Sequence, residues 1–302
     1  MILSRFMPKE LTVPLPRVFN RGTMYAFIDQ VLDTELNARC QKITFDFSTL
    51  HFIYPVGVTV LSNLIEYLLK RKVRVLFTNH SLITQSNRFL YDSGFFQLYT
   101  KQMAFPHSNL RSTTLPLARV RHDQSHSWIE NSFTNWISTR VGFSASTFAS
   151  ITVCLKEVFN NIDDHSGEKV GCVFAQHYPK MNEIQVAISD FGIGIPANVK
   201  RIRPELTDSG AIKAAFVEGF TTKSTSRNQG AGLDILTKYV VLRNRGSIIV
   251  HSLKGSFSCT YQDGITKQTP REEHGYYPGT LLQITFRTNY LEAIAEKEDF
   301  EW

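Results

Sequence analysis

Three short stretches in the second half of this chain constrain its fold more than any other feature. They are LKEVFNNIDDHSG at 155–167, SDFGIGIP at 189–196 and EGFTTKSTSRNQGAGLDIL at 218–236. The first carries an apolar stripe at helical spacing, and the second completes the alternating segment EIQVAISD, which predicts a strand ending at Asp190. The third ends in a glycine-rich turn that opens a helix. Their order and spacing indicate a single pocket.

The predicted helix has two chemically different faces. Its apolar stripe consists of Ile151, Cys154, Leu155, Val158, Phe159 and Ile162. Glu157, Asn161 and Asp164 follow one another at i, i+4 and i+7, so they line a different face. A polar row on a buried helix needs partners, which Mg²⁺ and phosphate oxygens would supply. A solvated helix face is the alternative.

The other two stretches carry groups that suit a purine and its phosphates. The carboxylate of Asp190 can accept a hydrogen bond from an adenine amino group, while Gly192 and Gly194 leave room for the base. The backbone N–H groups of the helix start formed by Gly230, Ala231, Gly232 and Leu233 can bind an anion. Thr221, Thr222 and Lys223 would add hydroxyls and a cation. A simple turn and a glycine-rich helix cap are the alternatives.

Together the three stretches resemble the N box and the two glycine boxes of the GHKL ATPase superfamily, over roughly residues 128–290. The resemblance implies an ATP-binding Bergerat fold, an α/β sandwich with a mixed sheet and helices on one face. In this likeness Asn161 holds Mg²⁺, Glu157 activates water or a hydroxyl, and Asp190, Gly192, Gly194 and Ile195 contact the base. Thr280, after Gly279, closes the adenine pocket, and the segment between Pro196 and Gln229 is similar to an ATP lid.

The N box itself is mixed in character. Asp164 is acidic, as in gyrase-like members, whereas His165 followed by Ser166 is similar to the histidine kinases. The resemblance therefore leaves both hydrolysis and kinase chemistry open. It does not reach the transducer domain that supplies a catalytic lysine in gyrase, so we expect any hydrolysis to be slow.

The first hundred residues predict a strand, a helix, a strand and a helix, which is the order of a small α/β layer. The segments are KITFDFSTL, VGVTVLSNLIEYLLKRK, VRVLFTN and ITQSNRFLYDSGFFQLY. This order resembles a STAS domain, in which the turn before the first helix carries a phosphorylatable serine. Here Val56 stands in that turn, so a docking role is expected instead of a phosphoswitch. An unrelated α/β layer is the alternative.

These patterns predict a STAS-like domain at 1–107, a linker at 108–127 and a GHKL domain at 128–302. Within the last, Trp128, Ile129, Phe133, Trp136 and Ile137 predict a helix with one apolar side. GSIIVHSL and TLLQITFRT predict neighbouring strands, with 263–279 as a polar surface loop between them.

Composition limits where the protein can be located and which partners it can have. With 42% hydrophobic and 20% charged residues, and with no secretory signal or membrane-length apolar run, we expect a soluble cytoplasmic protein. The four cysteines lie in separate segments, which favours reduced thiols. The net charge of +6 comes from scattered Lys and Arg, so a nucleic-acid partner is disfavoured without being ruled out; a homodimer also stays open.

The sequence thus predicts an ATP-controlled regulatory switch with slow hydrolysis by water that Glu157 activates, acting on a protein partner through the first domain. One alternative is a protein serine kinase of the anti-sigma type that acts on a separate chain. Another is a non-hydrolysing, ATP-dependent scaffold in a bacterial stress or defence system.

Overall fold

The structure is a computed structural model that describes residues 9–100, 109–142, 148–166, 170–217, 220 and 232–291. Within these ranges, the description does not include the side chains of residues 122, 150, 157, 160–166, 170 and 232. The chain divides into two compact units, Met1–Arg111 and Ser112–Trp302. Each unit is described by itself below.

The first unit is built on a three-stranded parallel sheet with the order β1, β3, β5. Its strands are β1 (Leu11–Pro14), β3 (Lys42–Asp46) and β5 (Arg74–Thr78), and β2 (Val18–Phe19) pairs in parallel with β4 (Phe52–Ile53). Its helices are α1 (Arg21–Val31), α2 (Pro55–Lys70), α3 (Gln85–Asp92) and α4 (Phe95–Tyr99). The predicted order of strand, helix, strand and helix is confirmed.

Two details of this unit differ from the prediction. Gly94 adopts φ +80° and separates α3 from α4, so the last predicted helix is two helices. Residues 55–57, expected in a turn, form the start of α2, because the fixed φ of Pro55 suits the first position of a helix. Val56 is therefore a buried helical residue. The STAS resemblance stays a prediction.

The second unit contains a five-stranded sheet with the order β6, β7, β8, β10, β9. The strands are β6 (Thr114–Arg121), β7 (Val170–Tyr178), β8 (Glu183–Asp190), β9 (Ser247–Gln262) and β10 (Ile265–Arg287). Every pairing among these described strands is antiparallel, so the expectation of a mixed sheet is wrong. Consecutive strands β6 and β7, β7 and β8, and β9 and β10 are antiparallel neighbours, whereas β8 and β9 both pair antiparallel with β10 and so run in the same direction.

Helices cover one face of this sheet. The described helices are α5 (His122–Trp128), α6 (Asn135–Val141), α7 (Ala149–Ser166), α8 (Ile195–Val199), α9 (Asp208–Ala215) and α10 (Gly232–Leu236). A π-helical segment, Ile129–Thr134, joins α5 to α6, and another, Thr237–Arg243, continues α10. Ile129, Phe133 and Ile137 are fully buried in the core, and Trp128 and Trp136 pack against it, as the predicted apolar side requires. The predicted helix over the first stretch is α7, with Leu155 and Phe159 in the same core.

Two segments that were expected to be irregular are strands. The predicted linker at 108–127 contains β6 and most of α5, and β6 pairs with β7. Pro116 made this segment resemble a linker, but β6 lies at the edge of the sheet, where a missing N–H is tolerated. The predicted loop at 263–279 belongs mostly to β10, which pairs with β9 as far as Glu272.

Candidate functional site

Strand β8 delivers Asp190 to the helix-covered face of the sheet. Ile184, Val186 and Ile188 belong to the apolar core, and side chains two apart in a strand share a face. Asp190 therefore continues the core-facing row, and it is only 2% exposed. A carboxylate at this depth marks the place where the apolar core gives way to a polar site.

The two neighbouring strands place hydroxyls beside Asp190. Thr280 of β10 lies opposite Asp190 on one side and opposite Ser252 of β9 on the other. Leu282 and Ile284 follow Thr280 on the same face of β10, and Ile248 and Val250 precede Ser252 on the same face of β9; all four are core residues. Asp190, Thr280 and Ser252 thus form a row across three adjacent strands, which we call the polar row.

Backbone groups fix the carboxylate of Asp190. Its Oδ1 accepts a hydrogen bond of 2.7 Å from the N–H of Gly192. Gly279 lies so close that a Cβ there would be 2.4 Å from the carbonyl oxygen of Asp190 and 2.8 Å from its Oδ1. Gly279 also has φ +88°, a conformation that L side chains rarely adopt. The position consequently requires glycine, for both its space and its backbone angle.

Ser252 joins the strand end to the beginning of α8. Its Oγ donates to the carbonyl oxygen of Gly279 at 2.6 Å and accepts from the N–H of Ile195 at 3.1 Å. Gly194 adopts φ +82°, and a Cβ there would lie 2.6 Å from this same Oγ. The predicted residues Gly194, Ile195 and Thr280 therefore meet Asp190 around a serine that the prediction missed.

Sequence alone contained one signal for Ser252. It follows Ile248 and Val250 at the spacing of two that defines one face of a strand. The parity by itself does not reveal which strand lies next to it. The pairing with β10 supplies that information.

Aromatic packing supports the row from the side. The rings of Phe191 and Tyr277 meet edge to face, with centroids 5.4 Å apart, and Tyr277 is fully buried. Phe191 directly follows Asp190, and Tyr277 precedes Gly279 by two residues. This contact holds the two chain segments of the site together where β8 ends.

The remaining predicted site residues lie partly or wholly outside the described residues. Helix α7 carries the backbone of Glu157, Asn161, Asp164 and His165, but their side chains are outside the description. Thr221, Thr222, Lys223, Gly230 and Ala231 lie outside it entirely, whereas Gly232 is the first described residue of α10 and Leu233 is buried in the core. The helix start at these glycines stays a prediction.

Among the side chains that the structure describes, no group of three or more His, Cys, Asp or Glu is arranged to hold a metal ion. The magnesium prediction at Asn161 falls on a side chain outside this set. No helix in the described ranges is long and apolar enough to cross a membrane.

Comparisons with known proteins show a remote structural likeness. No family model and no curated protein matches the chain. Among solved structures, the chain is similar to the topoisomerase IV ATP-binding domain of Francisella tularensis in complex with a small-molecule inhibitor, with 15% identity and a TM-score of 0.27. The match covers 58% of this chain and 43% of that one. A superposition this poor supports no transfer of function.

Proposed function

We propose that this chain binds ATP at the polar row, in the manner of a GHKL domain. The observation that carries the proposal is the buried carboxylate of Asp190 at the end of the apolar face of β8. The N–H of Gly192 orients this carboxylate by a hydrogen bond, and the backbone of Gly279 lies directly beside it. Such a carboxylate is a fixed acceptor for an N–H donor on a planar ligand. The hydroxyl of Thr280, which can donate or accept, lies on the neighbouring strand.

Adenine fits this arrangement better than guanine does. The exocyclic amino group of adenine can donate to the Asp190 carboxylate, whereas guanine presents a carbonyl oxygen at the corresponding position. Two acceptors facing each other in a buried site are unfavourable, because neither can be solvated. The proposal therefore includes selectivity for ATP over GTP.

The phosphate end of the proposed site rests on the sequence motifs. Asn161 would hold Mg²⁺ through its amide oxygen, and the ion, when bound, neutralises the charge of the phosphates. Glu157 would act as the base for slow hydrolysis, with Asp164 and His165 near the same helix end. The backbone N–H groups of Gly230, Ala231, Gly232 and Leu233 would bind the phosphates, as the glycine motif predicts, and Thr221, Thr222 and Lys223 would complete the set.

The proposed biological role is an ATP-controlled regulatory switch. Its support is the combination of a candidate nucleotide site in the second unit with a separate parallel α/β unit before it. In this proposal the first unit docks a protein partner, and nucleotide occupancy of the second unit regulates that docking.

Titration calorimetry of the full chain with Mg-ATP and Mg-GTP tests the binding proposal. We expect ATP to bind at least about 100-fold more tightly than GTP, since a site built for a hydrogen bond rejects a ligand that leaves it unpaired. Asp190→Ala should weaken ATP binding by about 10- to 100-fold, the value of a hydrogen bond to a charged group. Asp190→Asn should reduce the preference for ATP, because an amide can also donate to guanine.

Asp263→Asn is the matched control, since Asp263 lies exposed in the turn between β9 and β10. Equal affinity of the wild type and Asp190→Ala for ATP would refute the site. Phosphate release measured on the same samples, with Glu157→Ala added, separates binding from chemistry. That variant should bind ATP normally and release no phosphate; unchanged turnover would exclude Glu157 as the base.

A further inference from the structure

The two longest strands continue past the polar row as a two-stranded extension. Strand β8 pairs with β10 only from Thr280 to Arg287, whereas β9 and β10 pair with each other from Gln262 and Ile265 back to Gly255 and Glu272. We call residues 254–262 and 265–272 the ribbon. Helix α9 packs against this ribbon, with the rings of Phe216 and Phe257 4.7 Å apart and Ile212 in the same core.

The ribbon also binds the first turn of α9 through polar groups. The Oε1 of Glu272 accepts a hydrogen bond of 2.7 Å from the N–H of Ser209, 63 residues away in the chain. The Oδ2 of Asp208 accepts one of 3.0 Å from the N–H of Lys254. A Cβ on Gly255 would lie 2.5 Å from the Ser209 nitrogen, so the two backbones are in direct contact.

These contacts suit the chemistry of a helix start. The first N–H groups of a helix have no partner within it, and a negative charge near them is stabilising. Thr207 caps α9 locally by accepting from the N–H of Gly210, and Glu272 supplies the acceptor for Ser209 from the ribbon. The carboxylate therefore holds a helix to a distant strand instead of capping its own segment.

Strand β10, which carries Glu272, also contributes Thr280 to the polar row. Glu272 precedes Gly279 by seven positions, and the pairing with β9 is irregular between Glu272 and Thr280. On the β9 side of this irregular joint, Leu253 adopts φ +53°, and its Cδ2 would lie 3.2 Å from a Cβ placed on Gly194. The joint thus connects the ribbon directly to the glycines around Asp190.

A second connection between the polar row and α9 runs through α8. Lys200, just after this helix, forms an ion pair with the Oδ1 of Asp208, the first residue of α9. Helix α8 begins at Ile195, whose N–H donates to Ser252 of the polar row. Both ends of the connection from the polar row to α9 are therefore fixed by described contacts.

We infer that Glu272 is a positioning residue that clasps α9 to the ribbon, and that this docking is coupled to ligand binding at the polar row. The coupling rests on the proposed function, since the ligand at the row is the proposed ATP. Coupling between two sites is reciprocal, so a clasp that favours ligand binding must in turn be strengthened by the ligand. Glu272 itself touches neither the base nor the phosphates in this proposal.

Amide hydrogen exchange of the full chain, followed by mass spectrometry, measures the clasp directly. The variants are Glu272→Ala and Glu272→Gln, with Glu273→Ala as the matched control, because the neighbouring carboxylate accepts from Ser256 within the ribbon instead of from α9. We expect Glu272→Ala to accelerate exchange across 208–212, Glu272→Gln to do so less because its amide oxygen still accepts, and Glu273→Ala to leave α9 unchanged.

Calorimetry with Mg-ATP on the same proteins measures the coupling. Glu272→Ala should bind ATP about fivefold or more weakly, at the lower end of ordinary coupling between sites. In the wild type, ATP should slow exchange in α9; in Asp190→Ala, which binds ATP more weakly, the same ATP concentration should slow it less. A purely structural role for Glu272 would not produce this ligand-dependent protection.

The outcomes separate the two proposals. Unchanged exchange in both Glu272 variants overturns the clasp, and faster exchange with unchanged ATP affinity overturns the coupling. If the wild type binds no ATP, the proposed function fails and the coupling fails with it, while the exchange rates without ligand still decide the clasp. If Glu272→Ala does not fold, the exchange rates of α9 and the ATP affinity are measured on Glu272→Gln instead.

Discussion

At the scale of single residues, Gly279 is constrained both by its backbone angle and by the space around it, and experiments can separate these two constraints. Its φ of +88° disfavours any L side chain, and a Cβ would also enter the space of Asp190 and Gly192. Gly264, in the turn between β9 and β10, has a similar φ of +85° but open space where its Cβ would be. The pair distinguishes backbone strain from steric contact in the same unit.

We predict that Gly279→Ala loses measurable ATP binding and lowers the free energy of unfolding by about 2–4 kcal/mol, from strain plus overpacking. Gly264→Ala should cost only about 1–2 kcal/mol, the strain alone, and should leave ATP affinity unchanged. Urea unfolding and calorimetry of both variants measure these quantities. Similar losses in both would mean that the close approach of Gly279 to Asp190 has no functional weight.

The same residues indicate how far sequence reasoning reaches at a site. The place of Asp190 at the end of a strand, with Gly192 and Gly194 just after it, was predictable because a strand pattern and a glycine pattern meet within six residues of the chain. Ser252 was not, because its role depends on which strand pairs with β9 and in which register. Long-range register is a property of the sheet, and a single strand does not encode it.

At the scale of elements, the docking of α9 should depend on pH through Glu272. Burial raises the pKa of the Glu272 carboxyl and so does Asp208, but hydrogen bonds from the backbone and hydroxyl of Ser209 and from Thr207 outweigh both, so the pKa lies below its ordinary value. A lowered pKa means that the ionised group stabilises the folded state. This contribution is complete above the ordinary pKa of 4.5 and is lost as pH falls below it towards the folded value.

We therefore predict that the wild type is more stable than Glu272→Gln at neutral pH and that the difference shrinks as the solution is acidified from about pH 6 to about pH 3. Urea unfolding across this range measures it. Lys200, which pairs with Asp208, and Lys254, whose backbone N–H donates to Asp208, lie beside the clasp in all of these variants. A difference that grows on acidification would contradict the direction of the shift.

Elements with a regular apolar repeat in the sequence were predictable, and those without one were not. Helices α2 and α7 and strand β8 carry clear apolar periodicity, and the structure contains each of them. The first half of β10 is largely exposed and contains Pro270, so it resembled a loop. Its strand conformation comes from pairing with β9, whose inner side packs on α9.

At the scale of the whole molecule, each unit has a core of its own. The first unit contains an aromatic cluster in which Phe47 and Phe96 are fully buried and Phe77 is half-buried, whereas the second unit's core joins the sheet to α5–α7 and α10. Chain length and segment patterns predict two domains joined at 108–127, whereas the units divide at residue 111 because β6 belongs to the sheet of the second unit. Separate cores permit separate unfolding transitions.

We predict that ATP stabilises only the transition of the second unit in differential scanning calorimetry of the full chain. At a ligand concentration of about 100 times the wild-type Kd, the stabilisation is about 2.7 kcal/mol, and the 10- to 100-fold weaker binding expected of Asp190→Ala should reduce it to about 0.4–1.4 kcal/mol. Gly57→Ala assigns the other transition, since a Cβ at Gly57 would lie 2.7 Å from the carbonyl oxygen of Phe19 in the first unit. That variant should lower the transition that ATP leaves unchanged. If Gly57→Ala instead lowers the ATP-responsive transition, the nucleotide site and the first unit unfold together, and the separate cores do not make the units independent.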